Sequence, residues 1–386
     1  MNRSCQHYFL VKAQHPASLL GRNPAIWPLL MSGVVLLVSC LVGFAAQQNS
    51  LALFVVSEGE RCGYINASGT ISIPARFTNC EDFSGGLAPV EIDGKWGFID
   101  QKGAVVISPQ FDECRWSFSE GLAAVRLGKN WGYIDTKGDF VIPPKFDYAQ
   151  GFAEGRAIVL VGQKHGVIDK TGILRTEPFD DSGWTFNDGL LEVEKDGRWG
   201  FVDIEGDVAV PIRFHRAQGF TEGLAAVEFS DDKNQWGFID RSGKTVIVPQ
   251  FQEAGYFAEG LAPVSIGFKY GYINASGELT IRPAFEMAYA FTEGLAGVID
   301  KNHKYGFIDH SGQFVISPKY DLSFGYVNGL AAVSYAEHAQ KEVPFDSPEA
   351  SKLPIYEGSW GYIDKSGNEV WAPLEFRPAA NKKEAQ

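Results

Sequence analysis

The chain has 386 residues, of which 21% are charged, 13% are aromatic and 43 are glycine, a balance that suits short strands and tight turns. Its formal net charge of -13 argues against sequence-independent nucleic-acid binding and against docking of the repeats on anionic lipid, since both need clustered lysine and arginine. Its five cysteines are too few, and odd in number, for the disulfide framework of a small secreted domain.

The N-terminal segment predicts export of the rest of the chain. Residues 1–24 contain Arg3, Lys12 and Arg22 but no acid, and residues 25–46 contain no charged residue. An uncharged apolar run of this length can cross a bilayer, which needs about 20 residues. Because the basic residues precede the run, we expect residues 1–24 in the cytoplasm and the repeats on the periplasmic or extracellular side.

Three outcomes stay open for this segment. We favour an uncleaved membrane anchor over residues 25–46, which makes the membrane the first expected partner. The sequence ending at Cys40 (Leu-Val-Ser-Cys) resembles a bacterial lipobox, which makes Cys40 a candidate for lipidation. Cleavage near Ala45, giving a secreted protein, is the third outcome. All three export the same domain.

Beyond residue 50 one phrase returns at a nearly fixed interval. It reads Trp-Gly, Phe or Tyr, Ile or Val, then Asp-x-x-Gly, and it starts at Trp96, Trp131, Trp199, Trp236 and Trp360. Degenerate copies start at Cys62, His165, Tyr270 and Tyr305. Successive starts lie 34, 35, 34, 34, 37, 34, 35 and 55 residues apart, and a period in this range indicates a repeat architecture.

Each repeat is predicted to be a three-stranded meander. In the third unit, residues 131–135 alternate with a period of two, which predicts a strand. The Asp-x-x-Gly that follows predicts a hairpin turn, because aspartate bonds its own downstream backbone and glycine supplies positive φ. Residues 140–142 form a third strand, which Pro144 ends. The segment that closes each unit can add a short fourth strand to the meander. The nine units run over residues 51–83, 86–118, 121–152, 155–186, 189–220, 223–257, 260–291, 294–324 and 329–376.

The phrase and its period resemble the WG-repeat (KWG-type) family of bacterial proteins over residues 50–376. The resemblance implies an architecture and no defined activity. A single meander buries too little apolar surface to fold alone, so neighbouring units must share a core. We predict an all-β domain of about nine repeats in a β-propeller-like or superhelical ring, with an open β-hairpin solenoid as the alternative.

Three features depart from the regular pattern. Unit four has His165 at the tryptophan position, interpreted as a packing substitute, and its third-strand pattern is broken at residues 174–178. The ninth unit has an insertion at residues 336–359, predicted to be an exposed hairpin loop. The tail, residues 377–386, is predicted to be disordered.

Cys80 and Cys114 occupy the same position in neighbouring units, where most other units have alanine. This pattern predicts small buried side chains. Whether the two cysteines form a disulfide stays open, because equivalent positions of neighbouring units are expected to lie far apart for a bridge.

We find no catalytic or metal-binding motif in the sequence, and neither a cofactor nor a metal is expected. The repeated aspartates lack the alternating acidic positions of a calcium loop and are interpreted as turn formers: Asp100, Asp135, Asp169, Asp203, Asp240, Asp309 and Asp364. The repeated tryptophans are interpreted as structural: Trp96, Trp131, Trp199, Trp236 and Trp360.

Trp116 and Trp184 are the candidate ligand-binding residues. Each lies two residues before a closing phenylalanine, in the two units where consecutive phenylalanines are seven instead of six residues apart. The extra residue can form a bulge that turns the indole outward, where it would stack on a sugar ring or anchor a protein. Extra filling of the core is the alternative interpretation.

The leading functional hypothesis is a non-enzymatic binding or scaffold module of the cell envelope, with a protein or glycan partner and no nucleic acid. The first alternative is an enzyme that acts on polysaccharide or peptidoglycan. A unit-specific acidic pair facing a cleft would favour it, and aspartates repeated evenly at turns would count against it. The second is a purely structural spacer.

Overall fold

The computed structural model describes residues 52–229, 235–334 and 360–372. Within these ranges the chain forms 34 strands and no helix, in nine antiparallel sheets that succeed one another along the sequence. We number the sheets as blades 1 to 9. The predicted segments at residues 1–24, 25–46, 336–359 and 377–386 lie outside the described residues. The part of the chain described here contains no helix that could span a membrane.

The strands follow the repeat closely. Blade 1 contains β1 (Leu53–Glu58), β2 (Arg61–Asn66) and β3 (Ile71–Phe77); blade 2 contains β4 (Asn79–Cys80), β5 (Leu87–Ile92), β6 (Lys95–Asp100) and β7 (Val105–Phe111). Blade 3 contains β8 (Glu113–Cys114), β9 (Ala123–Leu127), β10 (Asn130–Ile134) and β11 (Phe140–Phe146); blade 4 contains β12 (Tyr148–Ala149), β13 (Arg156–Val161) and β14 (Lys164–Asp169). Blade 5 contains β15 (Asp181–Ser182), β16 (Leu190–Lys195), β17 (Arg198–Asp203) and β18 (Val208–Phe214); blade 6 contains β19 (Arg216–Ala217), β20 (Leu224–Glu228), β21 (Trp236–Asp240) and β22 (Thr245–Phe251). Blade 7 contains β23 (Glu253–Ala254), β24 (Leu261–Ile266), β25 (Lys269–Asn274) and β26 (Leu279–Phe285); blade 8 contains β27 (Met287–Thr292), β28 (Leu295–Ile299), β29 (Tyr305–Ile308) and β30 (Phe314–Tyr320). Blade 9 contains β31 (Leu322–Ser323), β32 (Leu330–Ser334), β33 (Trp360–Asp364) and β34 (Glu369–Trp371).

The short fourth piece exists, but it belongs to the following sheet. In blade 2, Cys80 of β4 pairs with Val90 of β5, although β4 follows directly on β3 of blade 1. Each short strand therefore links two blades. In sequence it directly follows the third strand of one blade, and it pairs with the first strand of the next blade.

The Asp-x-x-Gly segments form the predicted turns. In blade 3, Asp135 Oδ1 accepts hydrogen bonds from the backbone N–H groups of Lys137 and Asp139, and Gly138 has a φ of 92°. The same arrangement recurs at Asp240 and Asp309. Aspartate and glycine are thus used here for turn geometry.

These hydrogen bonds give the fold an acid-sensitive component. Donation from the backbone N–H of Asp139 lowers the pKa of Asp135, and donation from neighbouring serine hydroxyls lowers the pKa values of Asp240 and Asp309. A group with a lowered folded-state pKa stabilises the fold fully above its unfolded pKa, about 3.9, and this stability is lost as the pH falls through the folded-state pKa.

We therefore expect the urea midpoint of unfolding to fall as the pH decreases below about 4. The triple variant Asp135→Asn/Asp240→Asn/Asp309→Asn keeps the accepting oxygen, as Asn66 and Asn274 do in blades 1 and 7. This variant should fold at neutral pH, and its urea midpoint should fall less between pH 4 and pH 2 than that of the unmodified protein. If the urea midpoint of this variant depends on pH as that of the unmodified protein does, the three turn aspartates are not the source of the acid sensitivity.

The hydrophobic core lies between blades. One cluster joins Phe98 and Ile107 of blade 2 to Cys114, Phe118 and Val125, which belong to blade 3 and the segment leading into it. Most repeated tryptophans take part in such clusters. Trp96, Trp131 and Trp236 are buried, whereas Trp199 and Trp360 are half-buried.

Acidic side chains link successive blades at one face of the ring. The carboxylate of Glu154 accepts a hydrogen bond from the N–H of Gly189 (2.8 Å), and that of Asp188 accepts one from Gly223 (2.9 Å). The same contact joins Glu259 to Gly294. The acidic residue of the Glu-Gly or Asp-Gly pair in one blade thus binds the glycine of the same pair in the next blade.

Blades 1 and 9 close the ring. The Tyr362 hydroxyl of blade 9 donates a hydrogen bond to the Val55 carbonyl of blade 1 (2.9 Å), and the Tyr362 and Phe54 rings lie 5.5 Å apart. Phe54 shares a buried cluster with Leu330 and Trp371. The predicted all-β ring is confirmed as a propeller of nine blades, and the open-solenoid alternative is wrong because the terminal blades contact each other.

Blade 4 shows why its sequence is irregular. It has no long third strand: only isolated bridges from Ile168 to Leu174 and from His165 to Phe179 replace it. Leu174 and Ile173 are exposed at this edge. The broken pattern at residues 174–178 thus corresponds to a missing outer strand.

The cysteine pairing differs from the one considered from sequence. Cys62 of blade 1 forms a disulfide with Cys80 of blade 2, with the Cα atoms 6.0 Å apart, while Cys114 is free and buried. A Cys80–Cys114 bridge is therefore not formed. The reason is geometric: the tryptophan position of one blade packs against the short strand of the next, as the Trp131 and Tyr148 rings do at 5.5 Å.

Candidate functional site

The two edges of each blade differ in their surroundings. The third strands have a free, exposed edge, with Val106 and Val246 nearly half exposed. At the opposite edge, the side chain of Gln218 donates a hydrogen bond to the Ala254 carbonyl of the next blade (2.9 Å), and the Ser84 hydroxyl bonds the Phe118 carbonyl (2.6 Å). Blades come closest at the axis of a propeller. The short strands therefore form the inner edge.

In each of blades 2 to 9, two residues follow the small residue of the inner-edge strand and lie beside the axis, and we call them the axial residues; in blade 8 they lie within β27 (Met287–Thr292). They are Glu81 and Asp82, Arg115 and Trp116, Gln150 and Gly151, Gly183 and Trp184, Gln218 and Gly219, Gly255 and Tyr256, Tyr289 and Ala290, and Phe324 and Gly325. The strands around them follow a common sequence pattern in most blades, whereas the axial residues include acids, a base, amides and aromatics. The residues that differ most in chemistry from blade to blade therefore lie at the axis.

Trp116 and Trp184 are both axial residues. Both indoles are half-buried, so each keeps part of its surface accessible. They belong to blades 3 and 5 and are separated in sequence by blade 4, whose own axial residue at this position is Gly151. The positions at which the sequence predicted outward-turned indoles thus lie on the inner surface of the ring.

Arg115 is held in place beside Trp116. Its Nε atom donates a hydrogen bond to Glu113 Oε1 (2.5 Å), and its guanidinium lies 5.6 Å from the centre of the Tyr148 ring. Burial raises the pKa of Tyr148 to about 12, with Arg115 and Trp116 acting in the opposite direction. The result is a fixed cationic and aromatic group on the inner edge of blades 3 and 4.

Glu81 and Asp82 form an acidic pair on the neighbouring blade. Asp82 is exposed, yet loss of hydration raises its pKa. Its charge also contributes to the raised pKa values of Tyr64 in blade 1 and Tyr362 in blade 9. Asp82 therefore lies at the axis, close to the contact between blades 1 and 9.

A further group of charges surrounds the buried Glu228 in blade 6. Glu228 is 1% exposed and lies 3.5 Å from Arg216 Nε and 3.8 Å from His215 Nε2. Burial raises the pKa of Glu253, which accepts a hydrogen bond from Tyr270. The charges of Arg216 and Glu228 also act on the pKa of Glu253, in opposite directions, which indicates one structural network at the inner edge.

A serine, a histidine and an aspartate also meet in blades 4 and 5, but not as a catalytic triad. His165 Nδ1 lies 2.8 Å from Ser182 Oγ and 3.6 Å from Asp181 Oδ1. A triad needs its two partners on different ring nitrogens. Ser182 is moreover buried, and its hydroxyl also bonds the Gly183 carbonyl (3.0 Å).

Sequence reasoning identified Trp116 and Trp184 but missed Glu81, Asp82 and Arg115. A signal was available, because these residues follow the small buried residue of the closing segment in each unit. The residues at this position differ in chemistry from unit to unit, although the rest of the repeat is regular, and this difference would have identified all of them.

These observations define the class of the protein: a closed nine-bladed β-propeller with a chemically uneven axial surface. The sequence matches the "WG containing repeat" family over residues 63–96, 96–131, 131–164, 199–233, 236–269, 270–303 and 305–335, and the chain belongs to this family. No match was found among curated proteins.

One solved structure shares the fold. The chain is similar to the crystal structure of a eukaryotic initiation factor, with a TM-score of 0.55 and 13% identity over 83% of this chain and 95% of that one. At this identity the likeness shows the fold alone. Weaker likenesses are to the computationally designed Ika8 protein (TM-score 0.42, 12% identity, 73% of this chain and 96% of that one) and to BamB from Moraxella catarrhalis (TM-score 0.37, 12% identity, 73% and 92%).

Proposed function

We propose that this protein is a non-enzymatic binding or scaffold module of the cell envelope that holds a protein or glycan partner at its axial surface. The observation that carries the proposal is the contrast between a regular frame and individual axial residues. A purely structural spacer does not need different side chains at its axis. Recognition of a partner depends on such differences.

The aromatic axial residues supply the contact area that binding needs. An indole offers a large flat surface, which suits both stacking on a sugar ring and anchoring in a protein pocket. Trp116 has the fixed Arg115 beside it, and Trp184 lies two blades away. A partner that bridges both indoles would span the inner edge of blades 3 to 5.

Export to the cell envelope is part of the proposal. The apolar residues 25–46 would anchor the chain in the membrane, or Cys40 would carry a lipid in the lipoprotein alternative. The Cys62–Cys80 disulfide supports an oxidising location, because such bridges persist outside the cytoplasm.

The first test is capture of partners by residues 50–386 on a glycan array and from an envelope extract. The variant Trp116→Ala/Trp184→Ala should lose at least about tenfold in affinity for the selected partner, since truncation of an aromatic anchor costs 2 kcal/mol or more. Val106→Ala/Val246→Ala is the matched control: it removes exposed side chains from third strands and should bind normally.

Other outcomes would reject parts of the proposal. Equal binding by a folded Trp116→Ala/Trp184→Ala variant would remove both indoles from the site. Absence of selective capture by the unmodified protein would leave the structural-spacer hypothesis in place.

One observation favours a second candidate function, an enzyme acting on polysaccharide or peptidoglycan. Glu81 and Asp82 form a unit-specific acidic pair at the axis, and the raised pKa of Asp82 suits a general acid. The test is release of reducing ends from these polymers. Activity that is abolished in Asp82→Asn would establish the enzyme, and no activity in the unmodified protein would exclude it for the polymers tested.

A further inference from the structure

Arg115 is a buried cation at the inner edge of blade 3. Its side chain is 9% exposed, although arginine is almost never buried to this degree unless it is paired. Its Nε atom donates a hydrogen bond to Glu113 Oε1 (2.5 Å), and its guanidinium lies 5.6 Å from the centre of the Tyr148 ring and 6.0 Å from that of the Trp131 ring. These contacts fix the position of the guanidinium.

Glu113 does not cancel this charge, because two cations share it. Its second carboxylate oxygen, Oε2, accepts a hydrogen bond from Arg126 Nε (2.9 Å). The neighbouring acid in the sequence, Asp112, is paired with Lys95 (2.6 Å). This group of three cations and two acids therefore keeps one positive charge in excess.

The two Nη groups of Arg115 are the part of this cation that a partner can reach. The hydrogen bond to Glu113 is made by Nε, and in the described chain neither Nη atom is enclosed without a partner, so their bonding capacity opens on the axial surface. Burial raises the pKa of Tyr148 to about 12, so its hydroxyl beside Arg115 is neutral at neutral pH and leaves the charge in place. A guanidinium with open Nη groups holds a carboxylate through two parallel N–H···O bonds.

Trp116 places a flat surface beside this cation. Besides burial, both its indole and the Arg115 guanidinium act on the pKa of Tyr148, so the three side chains meet. The Nε1 atom of Trp116 is buried, although the residue as a whole is half-buried. The accessible part of the indole is therefore its ring surface, on which the C–H face of a sugar ring packs.

Glycine lies between the two axial indoles. Gly151 is the axial residue of blade 4, and an added Cβ atom there would have Ser119 Cβ, at 3.8 Å, as its nearest contact. This is an ordinary van der Waals distance, so the space above Gly151 is open. A chain of sugar rings that starts on Trp116 can therefore continue towards Trp184 without meeting a side chain at blade 4.

The acidic pair Glu81 and Asp82 sets the direction of an anionic partner. Burial raises the pKa of Tyr362 in blade 9, and the charge of Asp82 adds to this effect. Burial likewise raises the pKa of Cys114 in blade 3, and the charge of Glu81 adds to it. These acids repel an anion from the side of blades 1 and 2. A carboxylate is thus directed to the side of Arg115 that faces blade 4.

We propose that the partner at the axis is a glycan that carries carboxylate groups, a chain of uronic acids, with one carboxylate bound by Arg115 and its sugar ring stacked on Trp116. This inference rests on the proposed function, since it uses the same axial surface. An indole alone does not distinguish an acidic sugar from a neutral one, whereas the excess positive charge does. An acidic peptide would pair with Arg115 but would lack the flat ring that fits the indole.

The test compares sugars that differ in one group. Oligogalacturonate and oligoglucuronate are each paired with their full methyl ester, which has the same rings without the negative charge. The full chain should bind at least one of the acids about tenfold or more tightly than its ester in isothermal titration calorimetry, because the ester loses the charge-assisted contact. Poly-glutamate is the third probe, and it should bind no more tightly than the ester.

Three variants assign this preference to Arg115. Arg115→Gln should abolish the preference for the acid, and Arg115→Lys should restore part of it, since an ammonium group has the charge without the planar fork. Arg126→Gln is the matched control, because it removes the same charge from the same acid, Glu113. It should keep the preference, with the affinity lowered at most about threefold. The melting temperature of each variant verifies that it is folded.

Several results would overturn the proposal. Equal affinity for the acids and their esters would do so, and so would a preference for the acid that persists in folded Arg115→Gln. Binding of poly-glutamate as tight as that of the uronates would identify an acidic protein segment as the partner. If the uronates fail to bind while Trp116→Ala/Trp184→Ala loses another captured partner, the proposed function stands and this inference is wrong.

Discussion

Replacement of Cys80 by alanine should lower the free energy of unfolding by about 3 kcal/mol, because the lost bridge joins residues 18 apart in sequence. The effect should be large for this ring, since the bridge ties blade 1, which has three described strands, to blade 2 beside the ring closure. Dithiothreitol should lower the melting temperature of the unmodified protein to that of Cys80→Ala and leave the variant unaffected.

Cys114→Ala is the matched control for this prediction. Cys114 occupies the same position in blade 3, is buried and has no disulfide partner, and alanine already fills this position at Ala149 and Ala254. We expect a loss of at most about 1 kcal/mol. If reduction of Cys62 and Cys80, verified by alkylation, leaves the melting temperature unchanged, the bridge does not stabilise the ring.

The strands were predictable from sequence because their causes are local. Alternation around Trp131, the bonding capacity of Asp135 and the positive φ of Gly138 each act within a few residues, and they repeat in almost every unit. Ring closure was harder to predict, since it depends on the contact between Tyr362 and Val55, which are 307 residues apart. No local pattern encodes such a contact.

The candidate site was only partly predictable for a related reason. A repeat pattern tells which residues share a strand but not which edge of the blade faces the axis. Trp116 and Trp184 stood out because their segments have an added residue, whereas Glu81 and Asp82 lie in a segment of the usual length. The Cys62–Cys80 disulfide was not considered from sequence because only equivalent positions were compared, whereas Cys62 and Cys80 occupy different positions that meet between blades.

The glycine of the Trp-Gly pair should be among the least replaceable residues of the ring. At Gly132 an added Cβ atom would lie 2.5 Å from the Ile142 carbonyl oxygen and 2.7 Å from the Pro144 nitrogen. The third strand bulges over this position, since Trp131 pairs with Phe146 but Tyr133 already pairs with Ile142. Gly132→Ala must therefore displace backbone, and we expect a loss of about 3 kcal/mol or more in urea unfolding.

Gly166→Ala in blade 4 separates this backbone clash from other effects of alanine. No long third strand covers Gly166, and the nearest atom to its added Cβ is Leu174 Cδ1 at 2.5 Å, the end of an exposed side chain that can rotate away. We expect a loss of at most about 1 kcal/mol there, because a flexible side chain absorbs the overlap. Equal losses in the two variants would mean that the bulge over Gly132 yields as easily as a side chain does, and that the Trp-Gly pair owes its repetition to something other than close approach of the third strand.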